Sequence, residues 1–304
     1  MSKTILIVGS LNMDFVVQTD KLPVRGETIS GRGFQMLPGG KGANQAYAVG
    51  RLGGRGKMIG RVGKDIFGQQ LKSNLESAGV DTSGVLTTDG ESTGAALILV
   101  EIGGQNEIVV VPGANATLCP GDLEATKESF QEGYLLLQLE SPLETVEAAA
   151  TLGRAGRMVT VLDPAPARSL SSSLLNKIDI ITPNESEALA ILGCSGSSIS
   201  LEEAPEVAQC LLKLGPRRVI LKLGDKGAWL AWEQGSQYFP ACKVEAVDAT
   251  AAGDTFNGAL VVALAEGKSL EEAIAFANRA ASISVTRLGA QTSIPTRAEV
   301  EAQD

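Results

Sequence analysis

The chain has 304 residues, enough for one large α/β domain or two ordinary ones, and its 44% hydrophobic content supports a sizeable core and excludes disorder. A net charge of −9 argues against nucleic acid or an anionic membrane surface as the main partner. The sequence contains no histidine, so Ser-His-Asp and Cys-His hydrolases are excluded and any general base must be Asp, Glu, Lys, Tyr or Cys.

Residues 4–10, TILIVGS, read as a short buried strand stopped by a Gly-Ser turn. Residues 15–40 carry Pro, Gly and patches of alternation, which predict irregular strands and turns. A helix is expected over KGANQAYAVGRLGG, a strand over RGKMIGRVG and a helix over IFGQQLKSNLESAG. STGAALILVEIGGQNEIVVVPGAN predicts a hairpin with a Gly-Gly-Gln-Asn turn. From about residue 121, helices and strands alternate. DLEATKESFQEG leads to YLLLQLE, PLETVEAAATLGRAG leads to MVTVLDPAPA, and IDIITPNESEALAIL joins a strand to a helix. Ser200 with Glu203 and Ser269 with Glu272 form capping boxes that predict two later helix starts. RRVILKLGDKGAWLAW reads as strand, turn and strand, and VDATAAGDTFNGALVVALAEG as a turn entering a buried helix.

This alternation implies an α/β fold with a mainly parallel central sheet and helices on both faces. No linker or repeat divides the chain, so residues 1–304 are expected to form a single domain. The helix-free pieces at about 12–38 and 91–112 are expected to form a small β-sheet lid beside it. Four widely spaced cysteines without a Cys-x-x-Cys pair suit a reducing, cytoplasmic setting. No stretch reads as a secretory signal or approaches the ~18 apolar residues of a membrane span.

Ligands of open parallel sheets bind beyond the carboxyl ends of the strands, and the polar residues of this chain collect there. They are Asn12 and Asp14, then Gly39 to Asn44, Glu140, Asp163, Asn184 with Glu187, the LGDKG turn, and finally Asp248 and Asp254. Any one of these fits a turn or a cap. Together their amides, carboxylates and lysine suit a polyhydroxylated ligand. PGGKGAN is not a P-loop, because Lys41 is followed by Gly42, and no Gly-x-Gly-x-x-Gly dinucleotide fingerprint follows the first strand. The best anion-holding device is AAGD at a helix start, whose free amides can face phosphate beside a carboxylate.

GSLNMD, PGGKGANQA, GESTGAALI, PGAN, QLESPLE, DPAPAR, ITPNESEA, LGDKGA and VDATAAGDTFNGAL resemble, in order and spacing, the ribokinase-like carbohydrate and adenosine kinase family, over about residues 5–297. The resemblance implies ATP-dependent phosphorylation of D-ribose at its 5-hydroxyl, and GGKGANQA with SLNMD point to that sugar in particular. It implies sugar contacts from Asn12, Asp14, Gly40, Lys41, Asn44 and Glu140, with Asp254 as both sugar contact and general base. It further implies that Ala251, Ala252 and Gly253 offer amides to the transferring phosphoryl group. ATP would be lined by Asn184, by Lys222, Leu223, Gly224, Asp225, Lys226 and Gly227, and by Asn278, with Glu187 organising Mg2+. A K+ ion would lie among Asp248, Thr250, Ser284, Arg287, Gly289 and Ser293. Lys222 and Arg279 depart from the residues common at their positions.

Asp254 is expected to have an ordinary carboxylate pKa near ~4 and so to be ionised at neutral pH. The small set of polar groups, with few aromatic residues nearby, suits a pentose better than a stacked base. Fructose, 2-keto-3-deoxygluconate and pseudouridine or another nucleoside are the alternative substrates within the family, and a non-catalytic sugar-binding protein is the rival from another class. The exposed edges of the lid are expected to pair with a second copy, giving a homodimer.

Overall fold

β1 (Thr4–Val8) is apolar on both faces, as a central parallel strand must be: Ile5 and Ile7 enter one core, Leu6 and Val8 the other. The computed structural model describes residues 2–103 and 105–303. After β1 come β2 (Asn12–Thr19), β3 (Gly31–Gly39), α1 (Lys41–Arg51), β4 (Arg55–Gly63), α2 (Ile66–Ser77) and β5 (Asp81–Thr88). The middle of the chain forms β6 (Gly94–Glu101), β7 (Asn106–Val111), α3 (Pro120–Ala125), β8 (Gly133–Leu137), α4 (Leu143–Ala155) and β9 (Val159–Leu162). Next are α5 (Ser172–Leu175), β10 (Ile180–Ile181), α6 (Glu185–Ile191), α7 (Ala204–Leu212), β11 (Arg218–Lys222), β12 (Ala228–Trp232) and β13 (Gly235–Phe239). The chain finishes with α8 (Ala252–Ala265), α9 (Leu270–Ser284) and α10 (Arg297–Glu301).

The larger sheet has nine strands in the order β13-β12-β11-β10-β9-β8-β1-β4-β5. It is parallel from β11 to β5, and the β11–β12 and β12–β13 pairs are antiparallel. The chain leaves β1 for β4 on one side and comes back to β8 on the other. The order therefore switches at β1, and a crevice opens beyond the carboxyl ends of the strands there. Residues of α1, α2, α8 and α9 cover one face with Ile5 and Ile7, while residues of α3 to α7 cover the other with Leu6 and Val8. The expected fold class is borne out.

α8 follows from its composition: eleven of its 14 residues are buried, because an Ala-, Gly- and Leu-rich helix has no polar face to turn outward. A Cβ added to Gly258 would fall 2.5 Å from the Cβ of Ala48, so α1 and α8 cross at a separation only glycine permits. That contact brings the first turns of the two helices together.

The small sheet has the order β3-β2-β6-β7, with β2 antiparallel to β3 and parallel to β6, and β6 antiparallel to β7. The β6–β7 hairpin is the expected one, with Gly104 of its turn outside the described residues. Residues 15–40 differ from expectation, since two long strands form there instead of irregular pieces. Pro38 is accommodated because β3 lies at the sheet edge.

Three further differences have local causes. β5 and β13, which the sequence does not announce, are the two end strands of the large sheet, and their Thr, Ser and Gly residues give little apolar pattern. The helix expected at 122–133 is only the six-residue α3, ended where the Thr126 hydroxyl bonds back to the carbonyls of Asp122 and Leu123. Ser200 and Glu203 make their reciprocal bonds, at 2.9 and 3.3 Å, but the helix begins only at Ala204, with Pro205 in its first turn. The Ser269–Glu272 box opens α9 as expected. Among the described residues no helix is long and apolar enough to cross a membrane.

Candidate active site

β3 runs into α1 through Gly39 and Gly40, and both glycines are needed for the polar residues around them. Gly40 has φ +84°, and a Cβ there would sit 2.7 Å from the amide nitrogen of Asn12. A Cβ on Gly39 would fall 2.1 Å from Asp14 Oδ2, so the carboxylate lies flat against the turn. Asn12 and Asp14 project from the same side of β2, as strand alternation requires. Asn115 locks Asn12 by donating from Nδ2 to Asn12 Oδ1 (2.8 Å), while its amide exchanges two bonds with the backbone of Leu11. Glu140 accepts from Ser10 Oγ and from the Lys41 N–H (2.9 Å), which places its negative charge at the start of α1.

Asp254 lies in the first turn of α8 and is 5% exposed. Its Oδ2 accepts from Asn44 Nδ2 and its Oδ1 from Gln45 Nε2, both at 2.9 Å. Gln45 Nε2 also donates to Asp163 Oδ2 (2.8 Å), and Gln138 Nε2 donates to Gln45 Oε1 (2.6 Å). Lys222 Nζ completes the row with a 2.9 Å bond to Asp163 Oδ1. Ala251, the residue before α8, adopts a left-handed conformation at φ 57°, an uncommon state for a residue with a Cβ. Its carbonyl accepts from the Thr255 N–H (2.8 Å), and the Ala252 N–H turns back to Ala249 O (3.2 Å). The Gly253 amide follows at the helix start, where the backbone has no earlier helical carbonyl to bond.

Burial pushes the Asp254 carboxyl up to about 6, with Asp163 adding to the rise and Lys41, Asn44 and Gln45 opposing it. The ordinary value expected from sequence is therefore corrected: the carboxylate is buried at the start of α8 against α1, and charge without water is unfavourable. Burial also raises Asp14, to about 7, with help from Glu140 and Asp254. For Lys41, burial alone would lower the pKa, but Asp254, Asp163, Glu140 and Glu187 outweigh it and raise it. A carboxyl whose folded pKa is raised stabilises the fold below its unfolded value and loses that contribution as pH rises through the folded one. For Asp14 that window runs from about pH 4 to about pH 7. Asp14→Asn should accordingly raise stability at pH 8 by on the order of 4 kcal/mol, and change it little at pH 4. Thermal unfolding at the two pH values without sugar checks this, and an equal shift at both would refute it.

A cavity of about 990 Å³ extends from Asp254 along Lys41, Asn184, Glu187, Lys222, Gly253 and Asn278. Asn184 caps α6 in a full capping box: its side chain accepts from the Glu187 N–H, and Glu187 accepts from both nitrogens of Asn184 at 2.8 and 2.9 Å. Gly224, Asp225 and Gly227 reach the cavity wall. Leu223 does not; its side chain is fully buried in the core, leaving only backbone for a ligand. Lys226 is engaged by Glu185 at 2.6 Å. On the far side of the AAGD turn, Asp248 accepts from Thr250 N and Oγ1 and from Gly289 N (2.9 Å). Burial would raise its pKa, but those bonds hold the carboxyl below its usual value, so it stays charged. Arg287 turns its guanidinium to Glu299 (2.7 Å), and the hydroxyls of Ser284 and Ser293 donate to the carbonyls of Ala281 and Ala290.

The sequence matches the pfkB family carbohydrate kinases over residues 2–297. The chain belongs to that family. It is 42% identical over 300 residues to the ribokinase of Haemophilus influenzae, covering 98% of this chain and 97% of that one. The deoxyribokinase of Salmonella typhi is 36% identical over 295 residues, with 96% and 95% covered. The solved structure of Arabidopsis thaliana ribokinase complexed with ribose and ATP is similar to this fold with a TM-score of 0.90, at 34% identity and covering 99% and 98% of the two chains.

In this carbohydrate kinase the structure gathers, around Asp254 and Asn12, several residues to which sequence reasoning assigned no individual role. Gln45 and Asn115 stand inside the motifs GGKGANQA and PGAN, and Asp163 at a strand end, so each carried a signal. Gln138, inside an otherwise apolar strand sequence, had one too: a lone buried amide needs a partner.

Proposed function

We propose that the chain transfers the terminal phosphoryl group of ATP to the 5-hydroxyl of D-ribose. The observation that carries this reading is the position of Asp254. Its carboxylate is buried at the start of α8, next to the Gly253 amide on one side and joined through Asn44 and Lys41 to the polar groups of β2 and α1 on the other. Asn12, Asp14, Gly40, Lys41, Asn44 and Glu140 hold the sugar hydroxyls. The 5-hydroxyl gives its proton to Asp254 as its oxygen forms a bond to the γ-phosphorus. The bond from that phosphorus to the β–γ bridging oxygen breaks, and ADP leaves. A carboxyl raised toward neutrality is the better proton acceptor while remaining mostly ionised at pH 7. The Gly253 amide and the helix start stabilise the transferred charge.

Asn184, Asn278 and the turn from Lys222 to Gly227 take the nucleotide. The Glu187 carboxylate at the cavity wall offers the hard oxygen donors that Mg2+ prefers, so it fits that ion. Magnesium supplies charge neutralisation to the phosphates. The reading is supported by relatives of this name at full length, and by a neighbour in complex with ribose and ATP. It is tested by coupled ADP release with D-ribose, 2-deoxy-D-ribose, D-fructose and adenosine. Ribose should have the highest kcat/KM. Loss of one paired hydroxyl leaves its buried partner unpaired at about 1–3 kcal/mol, so deoxyribose should be roughly 5- to 150-fold poorer. A higher value for any other member of the panel sinks the ribose assignment and leaves the family intact.

The charged Asp248 carboxylate, with the carbonyls and hydroxyls of Thr250, Ser284, Arg287, Gly289 and Ser293, fits a monovalent cation. Arg287 can serve only through its carbonyl, because its side chain pairs with Glu299. Potassium should activate the enzyme several-fold over tetramethylammonium buffer, and Asp248→Asn should abolish the response. Equal rates in the two buffers would refute the cation site.

The chain works as one domain in the cytoplasm, with the small sheet as a lid that closes over the sugar. Phe34, Met36, Leu97, Ile108, Val109 and Val110 leave much of that sheet apolar and exposed, which supports a homodimer formed through it. Val109→Lys should convert the dimer to monomer in light scattering; an unchanged mass would place the interface elsewhere.

A further inference from the structure

Lys222 ends β11, and its backbone is fixed there by a bond from its N–H to Pro183 O (2.8 Å) and a bridge to Asn184. Its side chain is 13% exposed, and its ammonium bonds Asp163 (2.9 Å), whose side chain is 3% exposed. A Cβ built on Gly253 would lie 3.2 Å from Lys222 Nζ. The ammonium therefore stands directly over the helix start proposed to hold the transferring phosphoryl group. Asp163 takes one of its three N–H donors, and the group faces the same cavity as Glu187 and Asp254.

A buried ion pair that only holds a fold together is a poor stabiliser, because apolar residues of the same volume do as well or better. A cation held at the mouth of a helix N-terminus is different: both features attract the same anion. We propose that Lys222 is a catalytic residue that binds the terminal phosphate of ATP, and that Asp163 is its positioning residue. Asp163 has a second task. Through the Gln45 amide, which donates to both carboxylates, it also ties the position of the Lys222 ammonium to that of Asp254. The inference rests on the reading of the cavity as the nucleotide site, and it adds a residue that discriminates triphosphate from diphosphate.

The test measures binding of the non-hydrolysable ATP analogue AMP-PNP and of ADP, each with magnesium and without sugar, by titration calorimetry. Lys222→Met should weaken AMP-PNP by about tenfold or more, the worth of a hydrogen bond to a charged group, and ADP by much less. Lys222→Arg should recover most of the loss. Because a lone Asp163 charge can unfold the Met variant, the double variant Asp163→Asn with Lys222→Thr, which leaves no unpaired buried charge, is measured beside it. The double variant should melt near the parent and still show the selective loss for AMP-PNP. A folded double variant with the parent's AMP-PNP to ADP affinity ratio, or equal weakening of both nucleotides, overturns the assignment of Lys222 while leaving the nucleotide site in place. Failure of the parent itself to bind either nucleotide overturns both readings together.

Discussion

Asp254→Asn should leave the protein folded and able to bind sugar and ATP, with kcat reduced by about 10³ or more. Positioned general-base catalysis alone contributes roughly 10²–10⁴. The fold should survive because asparagine keeps the shape and removes a charge whose burial is unfavourable, as its raised pKa shows. The loss belongs in kcat, since the proton moves only as the new O–P bond forms. In the parent enzyme, kcat/KM should fall as pH drops below about 6, and the variant's residual rate should lose that dependence. Steady-state kinetics from pH 5 to 8 checks both, and a variant within tenfold of the parent removes Asp254 from the role of base.

Lys41→Met should be the most destabilising of the single changes considered. The ammonium is surrounded by Asp254, Asp163, Glu140 and Glu187, and removing it leaves that negative charge uncompensated in a poorly hydrated site. Breaking a buried pair in this way costs about 3–5 kcal/mol. The deficit should shrink as pH falls, because the carboxyls can then take up protons. Lys41 also lowers the pKa of Asp254, so without it the acid limb of any remaining activity should move to higher pH. Chemical denaturation at pH 8 and pH 5.5 separates this from a simple packing defect, for which the loss would be equal at both.

The local patterns that survive in the fold are those with a local cause. The buried β1, the β6–β7 hairpin and the Ser269–Glu272 box follow from residues a few positions apart, and all three form as the sequence implies. β5 and β13 escaped because an end strand needs an apolar partner on only one side, and their Thr, Ser and Gly residues carry no clear alternation. In the site, Asn12, Lys41, Asn184 and Asp254 stood out through short motifs with their own turn chemistry. Asp163 and Lys222 were each noted singly, but their pairing was not legible, since only the sheet brings together positions 59 apart. The acidity of Asp254 was illegible for the same reason. Its value depends on burial and on charges contributed from several distant elements, and none of these is a property of the sequence around it.

The bonds that seat Asp254 also impose an order on how the protein comes into being. Asn44 reaches Asp254 across 210 positions, and Gln291 reaches Asn44 across 247. During synthesis Asn44 and Gln45 emerge early and wait for a carboxylate made much later. Asn44 then gains its last neighbour only when residue 291 has left the ribosome. Long-range closures of this kind form late in folding, because the entropy of the intervening loop must be overcome first. A chain ended before residue 254 therefore leaves Asn44 and Gln45 without the carboxylate they bond.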